Sequence, residues 1–311
     1  MHRFAVPDLG IRGHDPAILA ERLEYLRRRR YGLMSLPDLL THLDEGIPLE
    51  GNAVVFTVDD GYADFAAVGA PVFAAYDCPV TVFLVTDFVS GRLWNWFDRI
   101  EWAFDNTERR EIAMDVLGEK VSMRWTSSSA RDSAREEFVE RLKRVEDAVK
   151  EGLVGNLEEL LDVTIPERAP EKYLAMNWDQ VRTCARQGVT FGPHTVSHPI
   201  LTRVDASRAD YEISESWRRV AEATDAAVPV FCYPNGTPLD FSSREKASVA
   251  RAGMTAAVST IDGSLESFSS GIASADRFAI PRFAYSELKE RFVQIASGLE
   301  ERKTRMRRRL A

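Results

Sequence analysis

Residues 53–64 read Ala53-Val54-Val55-Phe56-Thr57-Val58-Asp59-Asp60-Gly61-Tyr62-Ala63-Asp64, and the reading of this stretch decides the fold. Val54, Val55, Phe56 and Val58 form a nearly continuous β-branched and aromatic run, the pattern of a parallel-sheet strand buried on both faces. The run stops at two adjacent carboxylates and a glycine. Neighbouring side chains on a strand point to opposite sides, so Asp59 and Asp60 cannot share one environment. Gly61 lets the backbone turn sharply where the strand ends. Two carboxylates at the mouth of a buried strand suit one metal ligand and one base. The same Asp-Asp-Gly is also ordinary turn chemistry, and the stretch alone leaves both readings open.

Outward from this strand, strands and helices alternate. A helix rich in Ala, Val and Phe is expected over about 64–76, then a strand from Pro79 to Val85. Further strands are expected at 188–192, 228–233, 254–260 and 279–283. Helices are expected over about 205–224 and 242–252, and after Ser286, where Leu288, Phe292, Ile295 and Leu299 recur. Upstream, Asp15-Pro16 caps a helix carrying Leu19, Leu23 and Leu26. Ser35 opens a second, with Leu36, Leu39, Leu40 and Leu43 inward and His42 toward solvent. Such alternation implies right-handed βαβ units around a parallel sheet. It breaks between Trp94 and about Trp178, where Trp94, Trp96, Phe97, Trp102 and Phe104 cluster. Phe138, Leu142, Val145 and Val149 then recur at helical steps. This region, about 95–175, is expected to be a helical insertion over one rim of a single domain spanning 1–311. Its aromatic cluster reads as core rather than as a sugar platform.

At 311 residues, with 45% hydrophobic and 28% charged content, the chain has the composition of a soluble globular protein. A net charge of −8 argues against nucleic acid as a partner. Cys78, Cys184 and Cys232 include no C-x-x-C pair, so no disulfide framework is expected and a reducing, cytoplasmic location fits. The first residues have no apolar core of signal-peptide length. Residues 65–85 are apolar enough to resemble a bilayer span, but Pro71, Asp77 and Pro79 interrupt them, and no transmembrane segment is expected. The tail at about 300–311, with Arg302, Lys303, Arg305, Arg307, Arg308 and Arg309, reads as a solvated end. Weak contact with an anionic membrane surface is the alternative.

Chemistry gathers in two further stretches. His194-Thr195-Val196-Ser197-His198 follows a predicted strand and holds two of the 5 histidines. Histidines four apart can reach one ion from a helix or a tight loop, and imidazole nitrogens with a carboxylate oxygen suit zinc or a similar divalent metal. Thr195 stands where a zinc protease carries glutamate, so any base comes from elsewhere. A chance pair on a surface helix is the other reading. Cys232-Tyr233-Pro234-Asn235-Gly236 ends another predicted strand in a turn able to aim backbone N–H groups into a site, or to be a plain loop.

Together the three stretches resemble the polysaccharide deacetylase family, also called the NodB-homology or carbohydrate esterase family 4 enzymes. Val58-Asp59-Asp60-Gly61 is similar to its first motif, His194 to His198 to its second, and Cys232 to Gly236 to its third, in the required order. The resemblance runs from about residue 14 to 298. It implies an α/β fold, a distorted (β/α) barrel usually of seven strands, with the site at the strands' C-terminal ends. By resemblance Asp60, His194 and His198 hold a divalent metal, zinc first and cobalt, nickel or manganese as alternatives, and Asp59 is the base. The Asn235 N–H completes an oxyanion site, and Tyr233, Pro234 and Gly236 contact substrate. The reaction implied is removal of N-acetyl groups from an amino-sugar glycan or its precursor. Two departures stand out. Cys232 replaces the arginine that orients the catalytic aspartate in the family. No histidine follows His198 to act as the acid; in the exopolysaccharide branches of the family a histidine on the first strand takes that place, so the resemblance implies His2 as the acid, with His14 as runner-up. A carbohydrate-binding pseudoenzyme is one alternative, and a deformylase or deacylase of a lipid- or nucleotide-linked sugar is the other.

Overall fold

A computed structural model describes residues 1–47, 52–265 and 277–299. The chain opens with α1 (Pro16–Arg28), β1 (Gly32–Leu33) and α2 (Leu36–Glu45), and the capping signals hold: Asp15 accepts from the N–H groups of Ala17 and Ile18, and Ser35 from that of Asp38. The deciding run forms β2 (Ala53–Val54) and β3 (Phe56–Val58). After a π-helical turn at Phe65–Gly69 come α3 (Ala70–Ala75), β4 (Val80–Leu84) and α4 (Thr86–Val89). Every residue of β4 is buried, as its unbroken apolar pattern requires.

The insertion begins with α5 (Trp96–Asn106) and is not purely helical as expected. It contains an antiparallel hairpin, β5 (Glu111–Val116) and β6 (Glu119–Arg124), before α6 (Ser128–Leu142), α7 (Asp147–Gly155) and α8 (Leu157–Leu161). Ile112, Met114, Val121 and Met123 are buried on one hairpin face, while Ala113 and Ser122 between them and the flanking Glu111, Asp115, Lys120 and Arg124 are exposed, a period of two that the flanking charge conceals. The face expected across 138–149 is divided between α6 and α7, with Phe138 and Leu142 buried and Val145 and Val149 half-buried. Trp96, Ile100, Phe104, Trp125, Phe138 and Leu161 share a core of the insertion's own; of the aromatic cluster, Trp94 is buried in a separate group with Tyr62, Phe88 and Tyr173, and Phe97 and Trp102 are half-buried.

Alternation resumes with α9 (Trp178–Arg186), β7 (Thr190–Pro193), α10 (Ala206–Ala223), β8 (Val230–Cys232), α11 (Ser243–Arg251), β9 (Ala256–Val258) and α12 (Lys289–Ala296). Among the described residues, the strand ladders outside the insertion's hairpin are parallel: β1 with β2, β3 with β4 with β7, and β8 with β9. Bridges from Phe191 to Ala227 and from Val258 to Ile280 extend this into an arc.

A closed seven-stranded barrel is not present among the described residues. The segment expected as the last strand, 279–283, makes a single bridge at Ile280, and on its open side Pro281 has no N–H to donate to a further strand. Side-chain contacts span the gap instead: the Arg282 guanidinium reaches Thr57 and Asp59 at the end of β3. His42 is half-buried on α2 rather than facing solvent. No described helix is long and apolar enough to cross a membrane, and the basic tail lies outside the described residues.

Candidate active site

The ends of β3, β4, β7 and β8 converge, and the three stretches singled out in the sequence converge with them. Asp59 and Asp60 are both buried just beyond β3. Asp60 has φ 74° and Gly61 φ 86°, a double left-handed turn, and a Cβ on Gly61 would lie 2.7 Å from Leu84 Cδ2. Glycine is required there on both counts. This turn sends the two carboxylates apart. Asp60 Oδ1 lies 3.5 Å from His194 Nε2 and 3.5 Å from His198 Nε2.

His194 directly follows β7, with its N–H bonded to the Leu84 carbonyl at 2.9 Å. Its Nδ1 is 2.7 Å from the Cys232 carbonyl, which fixes the proton on Nδ1 and leaves the Nε2 lone pair toward Asp60. The chain then reverses through left-handed Thr195 (φ 69°) and His198 (φ 61°), so the histidine pair sits on a tight loop and not on a helix. A β-branched residue at positive φ is an outlier, and such residues cost about 1–3 kcal/mol each.

Asp60 Oδ1 is buried and accepts no hydrogen bond. A charged oxygen left without a donor, with two imidazole Nε2 atoms facing it, is the arrangement a cation satisfies. Burial lowers the His198 pKa to about 3, keeping that ring neutral with a lone pair to offer. Burial alone would raise the Asp60 pKa, but the surrounding imidazoles of His194, His2 and His198 lower it to about 2, so it stays ionised. Asp59, His194 and Cys232 also have ligand spacing. That second set does not suit a cation, because the Arg282 guanidinium sits against it and the facing His194 nitrogen carries a proton. Asp60, His194 and His198 are the set that fits.

Asp59 is held by Arg282 in a two-pronged pair, Nη1 to Oδ1 at 2.8 Å and Nη2 to Oδ2 at 2.9 Å. Arg282 also reaches Thr57 Oγ1 at 2.9 Å and Cys232 Sγ at 3.2 Å. Burial would raise the Asp59 pKa; the Arg282 charge and hydrogen bonds overturn that and hold it well below the usual carboxylate range. Sequence reasoning missed Arg282. The arginine sought at Cys232 comes from the far side of the arc and touches Cys232. Its signal was its place within the expected last strand, 279–283, in Ile280-Pro281-Arg282.

The first four residues run alongside β3. The Asp59 N–H donates to the Met1 carbonyl at 2.8 Å, and Asp64 accepts from the Phe4 N–H and from Arg3 Nε, both at 2.6 Å. His2 is thereby held with Nε2 3.8 Å from Asp59 Oδ2, its side chain 59% exposed. Such burial as it has lowers its pKa, against the two aspartates, which raise it. His14 points elsewhere, with Nδ1 3.8 Å from Glu287 and its ring edge-on to Tyr285. Of the two candidate acids, His2 is the one near the carboxylates.

In the third stretch Asn235 (φ 57°) and Gly236 (φ 69°) form another left-handed turn. The Asn235 N–H has no partner among the described residues. Pro234 and Gly236 are buried. Tyr233 stacks on Phe241 at 4.1 Å and donates its hydroxyl to the Phe278 carbonyl, so its ring lies in the core. What this stretch offers a ligand is backbone.

The histidine loop is bracketed by Glu212 of α10, which is fully buried. Its carboxylate accepts from the N–H groups of Val196 (2.7 Å) and Ser197 (2.9 Å) and from the Ser197 hydroxyl (2.7 Å), while Arg208 balances its charge at 2.6 Å. The insertion closes over the loop: Phe97 sits edge-on to His198 at 5.5 Å, and buried Asp98, its pKa raised to about 8 by burial, accepts from the Tyr62 hydroxyl at 2.6 Å. Glu212→Ala leaves two loop N–H groups unsatisfied and is expected to weaken metal binding at His194 and His198 by about tenfold or more, whereas Glu212→Gln, which keeps an acceptor oxygen, restores part of it. Metal titration of the two variants beside the parent decides it.

Residues 167–257 match the family model described as polysaccharide deacetylase, a span that contains both histidines and the third stretch. Asp59 and Asp60 lie before it, separated from it by the insertion. No curated protein matches the chain. Among solved structures it is similar to the Streptococcus pyogenes deacetylase PplD in complex with acetate, at 14% identity and TM-score 0.58, covering 96% of this chain and 94% of that one. It is also similar to IcaB from Ammonifex degensii, at 14% identity and TM-score 0.58, covering 95% and 93%. A third is the BpsB deacetylase domain from Bordetella bronchiseptica, at 15% identity and TM-score 0.53, covering 91% and 93%. At these identities the likeness is one of fold.

Proposed function

We propose, from the premise that this chain belongs to the polysaccharide deacetylase family, that it is a metal-dependent hydrolase removing N-acetyl groups from an amino-sugar glycan or its precursor. The observation that carries this reading is the undonated Asp60 Oδ1 facing two imidazole Nε2 atoms, beside a second aspartate locked by an arginine. A divalent cation held by Asp60, His194 and His198, zinc by preference for this nitrogen-rich set and otherwise cobalt, nickel or manganese, supplies Lewis acidity toward the acyl carbonyl and acidifies water.

The chain's own residues do the rest. Arg282 keeps Asp59 ionised and in one orientation, so that its carboxylate receives the proton of the attacking water. The free Asn235 N–H donates to the carbonyl oxygen as negative charge develops on it. His2, beside Asp59, protonates the amine nitrogen as the C–N bond breaks, and acetate and the free amino sugar leave. The carbohydrate-binding alternative rests on the absence of an arginine at Cys232 and of a late histidine; the two-pronged Arg282–Asp59 pair and His2 at 3.8 Å from Asp59 support the hydrolase reading over it.

Mass spectrometry of N-acetyl and N-formyl amino sugars, as monomers and oligomers, after incubation with metal-loaded protein tests the reading. Loss of acetyl is the expected result. Loss of formyl alone would favour the deformylase alternative, and metal binding with no acyl loss from any substrate would overturn hydrolysis. His2→Ala is expected to keep fold and metal, since the side chain is largely exposed, and to lose the high-pH limb of the rate profile. That limb reflects the acid, which must be protonated to act, so activity falls as pH rises through its pKa. An unchanged profile at the parent rate would remove His2 from the mechanism and direct the same measurement to His14→Ala.

A further inference from the structure

The insertion carries a second concavity that the deacetylase reading does not use. A hollow of about 490 Å³ is lined by Thr107, Glu108, Arg109, Arg110, Trp125, Ser127, Ser128 and Arg131. Three of these side chains are guanidinium groups and one is a carboxylate. Across the described surface most arginines face an acid, as Arg124 does with Glu111 at 2.6 Å and Arg218 with Glu215 at 2.7 Å. The side chains of Arg109 and Arg110 have no ion pair or hydrogen bond among the described residues. Arg131 is held only at the outer limit of hydrogen bonding, 3.5 Å to the Asp105 carbonyl and 3.5 Å to its carboxylate, and its buried Nε has no partner. The Ser128 hydroxyl is likewise unengaged among the described residues. Trp125, packed against Phe104, gives the hollow a rigid wall.

In a chain of net charge −8, two arginines without an acidic partner among the described residues and a third held to Asp105 only at 3.5 Å, gathered around one concavity, mark a place for a bound anion. We propose that this hollow binds a phosphate group. Planar guanidinium groups match a tetrahedral oxyanion with paired N–H bonds, and a free hydroxyl adds a further donor. A phosphorylated soluble ligand and a phospholipid headgroup present the same chemistry. The site stands apart from the histidine loop and does not depend on the reading proposed above.

Calorimetric titration with inorganic phosphate, on metal-free and metal-loaded protein, tests it. Saturable binding is expected in both forms. Arg109→Ala/Arg110→Ala should weaken it by about a hundredfold, roughly tenfold per arginine, while Arg124→Ala, whose guanidinium is already engaged, leaves it unchanged. Both arginines are exposed, so the double variant is expected to fold. Sedimentation with vesicles of phosphatidylglycerol and phosphatidylcholine, against phosphatidylcholine alone, separates the two sources. Retention abolished by the double variant assigns a lipid headgroup, and phosphate binding without retention assigns a soluble ligand. Binding that requires metal, survives the double variant or is absent in both assays overturns the site.

Discussion

Asp59→Asn is expected to retain its metal and lose turnover by on the order of a hundred- to ten-thousand-fold, the usual loss when a general base is removed. Asp60→Asn is expected to lose both. The division follows from the turn at Gly61, which sends the two carboxylates to opposite surroundings. Asp60 Oδ1 faces two imidazole nitrogens and no donor; Asp59 faces a guanidinium and His2. An amide at position 60 replaces the anionic ligand with a neutral one, while an amide at position 59 keeps the shape and removes the basic oxygen. Metal content by mass spectrometry and initial rates on the same preparations give both readings at once. Equal metal loss in the two variants would refute the separation of roles.

Arg282→Met should lower turnover by about a hundredfold or more and move the acidic limb of the pH profile upward. With the guanidinium gone, burial acts on Asp59 unopposed and its pKa rises, so a larger fraction is protonated near neutrality and cannot accept a proton. The sign for stability follows from the same pair. A carboxylate whose folded pKa is depressed adds stability above its unfolded pKa, and that contribution is lost as pH falls through the folded value. In the parent it is therefore in place at neutral pH and disappears only below the ordinary carboxylate range. Breaking a buried pair costs about 3–5 kcal/mol. Arg282→Met should thus unfold at lower denaturant at neutral pH, with the difference narrowing in acid. Arg282→Lys keeps the charge but not the two-pronged grip, and is expected to recover stability more fully than rate. A pH profile unchanged in Arg282→Met would exclude the arginine from setting the state of Asp59.

Much of the arrangement was legible because it is written in local pattern. The apolar run before Asp59, of which Phe56 and Val58 are buried, the caps at Asp15 and Ser35 and the order of the three stretches each depend on neighbours in sequence. What escaped depends on residues far apart. Arg282 meets Asp59 across 223 positions, a pairing that exists only once the arc has curled. At 279–283, where strand propensity and resemblance both anticipated a strand, only Ile280 forms a bridge, and Pro281 leaves the open side without a donor. The insertion's hairpin was hidden because its outward residues are charged and its inward ones sparse, and helix and strand readings of such a segment differ only in period. Tyr233 shows the reverse difficulty: the resemblance implied contact with substrate, whereas its ring is turned into the core.

Asp60, Thr195, His198 and Asn235 all adopt left-handed backbone at one convergence of loops. Their conformational cost is borne by the native state alone, since the unfolded chain relaxes each of them. Anything that binds only the folded arrangement recovers that deficit through mass action, so the apparent melting temperature becomes a function of free cation concentration. The protein is then expected to behave as a thermal reporter of its own loading, rising in midpoint as zinc is added and falling back under chelation. Variants at His198 should be nearly flat in the same assay, which makes heat, independent of any glycan, a measure of how far the site has been assembled.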